Sequence, residues 1–336
     1  MSRATLEPPR DLPRDLPRDL LLDLPLDATR VSAPKSSRAR MGTVVTIEVV
    51  GHDRSARARR TRDLAIERAF AWFDRVESVC SRFDAGSELR RLCATRGVDV
   101  QVSPMLFEAV RFAVAVAEET HGAFDPTVGA RMEARGFNRD YRSGAVVGSE
   151  VRPDESVSYR DVVLNESARS VRLERALLLD LGAVAKGLAI DMAVQELRPL
   201  ANFVVDAGGD LYCGGHNAAE QPWTVGIRHP RESHTLLTRV AITDAALCTS
   251  GDYERRVADD TAGEHHVLDP TTGASPRDVI GASVIAPTAM VADALGTAAF
   301  VLGCAEGLAL LEHHELRACL VDAQLVRHTT PDWIDV

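Results

Sequence analysis

Asp293 and Thr297, in the run MVADALGTAAFVLG, stand four residues apart in a stretch with a helical apolar pattern. At that spacing a carboxylate and a hydroxyl leave one helix face a turn apart. Together they can share a hard cation such as Mg²⁺, with water, backbone carbonyls or phosphate oxygens completing its shell. An acidic residue favoured by the helix dipole beside a packing threonine would look the same. In LLLDLGAVAKGLAIDMA, Asp180, Gly182 and Lys186 surround a strand-to-helix junction. Backbone amides and an ammonium at such a junction attract anions, and carbonyls of the turn can face a metal. The same residues also make an ordinary turn.

Lys186 stands out by count. Of 39 basic side chains only two are lysines, Lys35 and Lys186. A bias towards arginine explains the depletion but not this survivor, and a site that needs a compact ammonium on a flexible stem resists replacement by a planar fork. GEHHVLDPTTG and HGAFDPTVG each set an Asp-Pro turn among apolar residues, and the first adds His265 and His266. On extended backbone these two point to opposite sides, so at most one faces a given cleft, where it could take a proton from a hydroxyl. VVDAGGDLY brings Asp206, Gly208, Gly209 and Asp210 together, and glycine pairs allow close approach to a planar ligand or simply turn the chain.

Positioning these groups requires a folded body. The 336 residues are 45% hydrophobic and 26% charged, an ordinary globular composition. A net charge of −10 with scattered basic residues argues against nucleic acid as a partner. No unbroken apolar run approaches the roughly 18–20 residues of a bilayer crossing, and Asp23 cuts the run Leu20-Leu21-Leu22. Neither a transmembrane segment nor a secretory leader is therefore expected, and a cytoplasmic location with six reduced, structural cysteines is. Residues 1–40, with PRDL repeats, read as a disordered extension before one domain over 41–336.

From Met41 the alternation in MGTVVTIEVVG predicts a strand. Helices are predicted over about 61–79, from Ser103-Pro104 to about Thr120, over about 186–197 and from Pro287, with another feeding a last strand near Cys319–Val321. Antiparallel strands are expected over about 151–182, and glycine-separated strands through about 202–250. The mixture predicts an α+β fold with a mixed, largely antiparallel sheet and packed helices. Neither a dinucleotide-binding glycine fingerprint nor a phosphate-binding loop is present.

In order, MGT, SRFDAGSELRRL, GAFDPTVG, LDLGAVAKGLAIDMA, VDAGGDLY, SGDYE, HHVLDPTTG and ADALGTAAFVLG resemble the ApbE family of FAD:protein FMN transferases, over about Met41 to Val321. The resemblance implies a T-fold-related α+β domain that takes FAD as substrate with Mg²⁺. It further implies transfer of FMN to a Thr or Ser hydroxyl of an acceptor flavoprotein, releasing AMP. By resemblance Asp293, Thr297 and the carbonyl of Ala183 hold the metal, and Met41, Ala123, Phe124, Asp125, Asp180 and Lys186 line the FAD site. His266 would then stand nearest the attacked phosphate as the base. Cys93 and Cys248 depart from the polar Ser or Asn expected there, and Gly296 stands where many members have another side chain. A metal-dependent FAD pyrophosphatase and a non-catalytic FAD-binding module are the alternative readings.

Overall fold

Along the central strands successive side chains go to opposite faces, and both faces are buried. Phe203 and Val205 join one apolar cluster while Val204 joins another, and Ala282 and Val284 likewise part from Ile285. The computed structural model describes residues 35–51, 55–253 and 264–336. It opens with a hairpin of β1 (Lys35–Arg40) and β2 (Thr43–Val50), followed by helices α1 (Ala56–Cys80) and α2 (Glu88–Cys93). Strand β3 (Val100–Gln101), helices α3 (Pro104–Glu119) and α4 (Gly129–Ala134), and strands β4 (Val162–Asn165) and β5 (Ser170–Leu173) come next. Helix α5 (Gly182–Leu197) precedes β6 (Asn202–Ala207), β7 (Asp210–Gly214), β8 (Trp223–Arg228), β9 (Leu236–Ile242) and β10 (Ala245–Gly251). The chain closes with β11 (Val279–Ala286), α6 (Ala289–His313), β12 (Arg317–Asp322) and β13 (Arg327–Thr329).

Eight strands form one sheet in the order β1-β2-β6-β7-β10-β11-β12-β13, each neighbouring pair antiparallel. Helices α5 and α6 pack on one face, with α1 against α5. The hairpin β8–β9 covers the other face through Trp223, Val225, Ile227, Val240 and Ile242. The expected α+β class is therefore what the chain adopts.

Several boundaries move for physical reasons. The extension expected to end at residue 40 gives up its last residues to β1, because Lys35–Arg40 pairs with β2 and Lys35 meets Glu48 at 3.1 Å. The rest of that extension lies outside the described residues. Met41 (φ 51°) and Gly42 (φ 77°) make a two-residue turn, so the strand expected from Met41 starts at Thr43. Helix α5 starts at Gly182, one turn before Lys186, and α3 begins as predicted, with the Ser103 hydroxyl accepting from the Leu106 N–H. Among the described residues α6 is long and apolar enough to cross a membrane, against the expectation of no such segment. That expectation counted only unbroken apolar runs, and Asp293 interrupts this one. Here Ala292, Leu295, Ala299 and Phe300 of α6 are buried in the core.

Helices α5 and α6 approach so closely that a Cβ on Gly187 would stand 2.5 Å from the backbone N and Cα of Met290. Gly187→Ala should therefore lower the unfolding free energy by about 1–3 kcal/mol in urea titrations, although alanine favours a helix. An unchanged or raised midpoint would show that the two helices can part without cost.

Candidate functional site

A cleft of about 1590 Å³ opens where the first turns of α5 and α6 meet the β1–β2 and β6–β7 turns. Every residue that the resemblance assigns to the FAD site, the metal or the base lines it. Met41 comes from the first turn, Ala123, Phe124 and Asp125 from the segment before α4, and Asp180, Ala183 and Lys186 from the start of α5. His266, Asp293 and Thr297 complete the set.

The N-terminus of α6 is held by a carboxylate from another helix. Asp191 of α5 accepts the N–H groups of Ala289 (2.8 Å) and Met290 (3.0 Å), while Thr288 caps Val291 N–H. Three otherwise orphaned donors are thereby satisfied. Burial pushes the Asp191 carboxyl up to about 6, against the two N–H groups that favour its charge. One turn on, Asp293 is buried, and Thr297 Oγ1 lies 3.3 Å from Ser250 Oγ of β10.

Asp180 and Asp125 line the cleft as parts of its frame. Asp180 Oδ1 accepts Gly182 N–H (2.7 Å), and Oδ2 accepts from Arg82 Nε (2.6 Å). Arg82, itself buried, also donates to the Phe137 carbonyl at 2.6 Å, joining the α5 N-terminus to the opposite rim. Asp125 Oδ1 accepts from the N–H and hydroxyl of Thr127, and Oδ2 from Tyr159 N–H. Burial raises its pKa, and these bonds pull it back. Two cysteines that depart from the expected pattern brace the same walls. The Cys93 thiol, pushed up to about 11 by burial, accepts Leu179 N–H, and the Cys248 thiol donates to the Ala289 carbonyl at 3.5 Å.

Lys186 forms an ion pair with Asp210, whose other oxygen accepts Thr249 N–H at 3.1 Å. Asp206 stands behind this pair, accepting Gly209 N–H at 2.9 Å. Burial, reinforced by the Asp210 charge, pushes its carboxyl up to about 6 despite the Gly209 and Gly208 N–H groups and Lys186. Gly208 (φ 70°) has no room for a side chain, since a Cβ would collide with the Thr43 hydroxyl of the neighbouring hairpin.

The two histidines part at a bend. His265 is buried, with Nε2 2.8 Å from the Pro276 carbonyl and its ring edge-on to Phe300, while His266 lines the cleft. Among the described residues no three His, Cys, Asp or Glu side chains converge as a metal cluster. The Asp293 carboxylate, Thr297 hydroxyl and Ala183 carbonyl are instead hard oxygen donors on one cleft, a set suited to Mg²⁺. Sequence reasoning quoted the segments that hold Arg82 and Asp191 but gave neither residue a role, and it left Asp206 and Asp210 between a ligand-approaching turn and an ordinary one.

The model of the ApbE family matches residues 41–320, the span that supplies every one of these walls. The chain belongs to the ApbE family. Among its relatives, the FAD:protein FMN transferase of Treponema pallidum is 35% identical over 271 residues, 74% of each chain. That of Vibrio cholerae is 27% identical, covering 84% of this chain and 85% of its own. The crystal structure of the ApbE protein of Thermotoga maritima superposes with a TM-score of 0.78 at 28% identity, covering 89% of this chain and 97% of that one. The ApbE fold thus carries the cleft described above.

Asp206 binds its proton more tightly in the folded chain than an exposed aspartate with the usual 3.8 does. Its contribution to stability is therefore full below about pH 4 and is lost as pH rises through about 6. Asn, neutral throughout and still able to accept Gly209 N–H, escapes that loss. Urea unfolding should show Asp206→Asn gaining on the wild type between pH 4.5 and 7.5 by on the order of 2 kcal/mol. Equal differences at the two pH values would contradict the assignment.

Proposed function

We propose that this chain transfers the FMN half of FAD to a Thr or Ser hydroxyl of an acceptor protein, with Mg²⁺, releasing AMP. One observation carries the reading. Side chains from five separated stretches of sequence, around Met41, Asp125, Lys186, His266 and Asp293, converge on a single cleft. Its volume exceeds the roughly 300–1,000 Å³ of common small-ligand pockets, as a dinucleotide requires. The relatives it matches are named FAD:protein FMN transferases, which supports the same substrate.

In this reading the acceptor oxygen attacks the phosphorus on the riboflavin side of the pyrophosphate. The bond from that phosphorus to the bridging oxygen breaks, and AMP leaves with that oxygen. His266 receives the acceptor's hydroxyl proton, since an alcohol is a poor nucleophile until a base removes it. Lys186, held at the α5 N-terminus by Asp210, faces the phosphates with its ammonium. Asp293, Thr297 and the Ala183 carbonyl would hold Mg²⁺, which when bound supplies positive charge against the charge developing on the phosphate oxygens. Arg82 and Asp180 keep the α5 N-terminus in register with the rim.

The purified chain incubated with FAD, Mg²⁺ and a total protein extract should produce a flavin-fluorescent band on a denaturing gel together with AMP. Free FMN with AMP would instead mark a pyrophosphatase, and intact bound FAD a binding module. Asp293→Ala should abolish turnover and its response to added Mg²⁺. His266→Ala should slow transfer by about 10²- to 10⁴-fold with FAD still bound. Loss of activity in His265→Ala, with His266→Ala active, would reverse the assignment of the base.

A further inference from the structure

His266 sits on a stretch, from Glu264 to Asp278, that contains neither helix nor named strand. Backbone bonds close its tip, from Asp269 N–H to the Ala274 carbonyl (2.9 Å) and from Gly273 N–H to the Asp269 carbonyl (2.8 Å), and side chains hold the loop to the wall beside it. The neck of this loop is closed by Ser275, whose hydroxyl accepts His265 N–H (3.1 Å) and donates to the His265 carbonyl (2.8 Å). The tip is a tight turn around Asp269, which accepts from Thr271 N–H and the Thr272 hydroxyl, each at 2.8 Å.

Two arginines from α4 and its C-terminal end reach across to this loop. Arg131, itself buried, donates to the Pro270 carbonyl at 2.7 Å. Arg135 donates to the Gly273 carbonyl (3.2 Å) and the Ser275 hydroxyl (2.9 Å), and forms an ion pair with Glu264 on the other side of the neck. A planar guanidinium can make several such bonds at once, whereas a lysine would make one or two of them. Helix α4 is itself fixed to the wall of the nucleotide site, because Gly129 N–H bonds the Leu178 carbonyl two residues before Asp180 and leaves no room there for a Cβ.

We propose that Arg135, assisted by Arg131, is a positioning residue that fixes His266 relative to the α5 N-terminus, so that base and phosphate site share one frame. The proposal rests on His266 being the base. Neither arginine touches the reacting atoms, and the effect falls on the step that needs an aligned proton acceptor. A displacement near 1 Å can cost on the order of 100-fold in rate without a comparable loss of binding.

The test compares Arg135→Met, Arg131→Met, Arg135→Lys, His266→Ala and the Arg135→Met/His266→Ala double variant of the full chain. AMP release from FAD is followed in the presence of Mg²⁺ and a fixed protein extract, and FAD binding by quenching of flavin fluorescence. Arg135→Met should lose about 10- to 100-fold in kcat while its Kd for FAD moves less than about threefold, with Arg131→Met following in the same direction. Arg135→Lys should recover only part of the loss. The double variant should be no slower than His266→Ala, as groups acting on one step require. Hydrogen exchange, which needs no turnover, should quicken in residues 264–276 and stay unchanged in α5 and α6. If Arg135→Met does not fold, Arg131→Met and Ser275→Ala must show the same split between kcat and Kd. Full activity in Arg135→Met beside a slow His266→Ala overturns the clamp and leaves the base in place. Additive losses, or a Kd that rises in step with the fall in kcat, also overturn it. A fully active His266→Ala overturns the base assignment, and the clamp with it.

Discussion

The bond from the Asp191 carboxylate to the first N–H groups of α6 fixes the two halves of the cleft against each other. Helix α5 brings Ala183 and Lys186 to the cleft, and α6 brings Asp293 and Thr297. Nothing in either helix alone sets the distance between those pairs. The carboxylate supplies the attraction, and the missing side chain at Gly187 lets the backbones meet. A helix N-terminus bonded in this way cannot slide along its neighbour without exposing donors that have no other acceptor nearby.

Charge is handled locally in a chain that carries −10 overall. An anionic dinucleotide approaching such a protein meets a generally repulsive field. Within the cleft, however, the carboxylates are held by donors of their own: Asp180 by Arg82, Asp125 by Thr127 and Tyr159, Asp210 by Lys186. Burial also pushes Asp206 towards its neutral form. The walls therefore present less negative charge to a ligand than their composition suggests.

Much of this was legible in the sequence where the cause was local. The Ser103-Pro104 start of α3 is read from two adjacent residues, because the cap bond spans three positions. Lys186 was legible because arginine had replaced lysine almost everywhere else. At most one of the adjacent histidines was expected on the cleft, and the structure puts His265 in the core and His266 on the cleft, although a bend and not a strand carries them. What escaped was whatever depends on a distant partner. Lys35–Arg40 carries no strand signal of its own and is ordered by β2, while Arg131 and Arg135 in GARMEAR belong to no motif that the sequence singles out. Their role appears only when Pro270 and Ser275, about 140 residues away, are brought beside them. Asp125 and Asp180 show a double use, since the resemblance implies places for them in the FAD site and both line the cleft, while the fold also engages their oxygens with Thr127, Tyr159, Gly182 and Arg82.

The two hairpin turns at the mouth of the cleft interlock, with Gly208 pressed on Thr43 just after Met41-Gly42. Each turn is therefore fixed at two residues. Adding one residue to either would carry the following strand to the opposite parity, sending Val45 and Ile47, or Leu211 and Cys213, to the wrong layer. Insertions and deletions accumulating among related chains must then be borne by stretches such as the connection from α4 to β4, which is free of that parity rule. Length variation along the lineage becomes a map of which borders of the cleft are frozen.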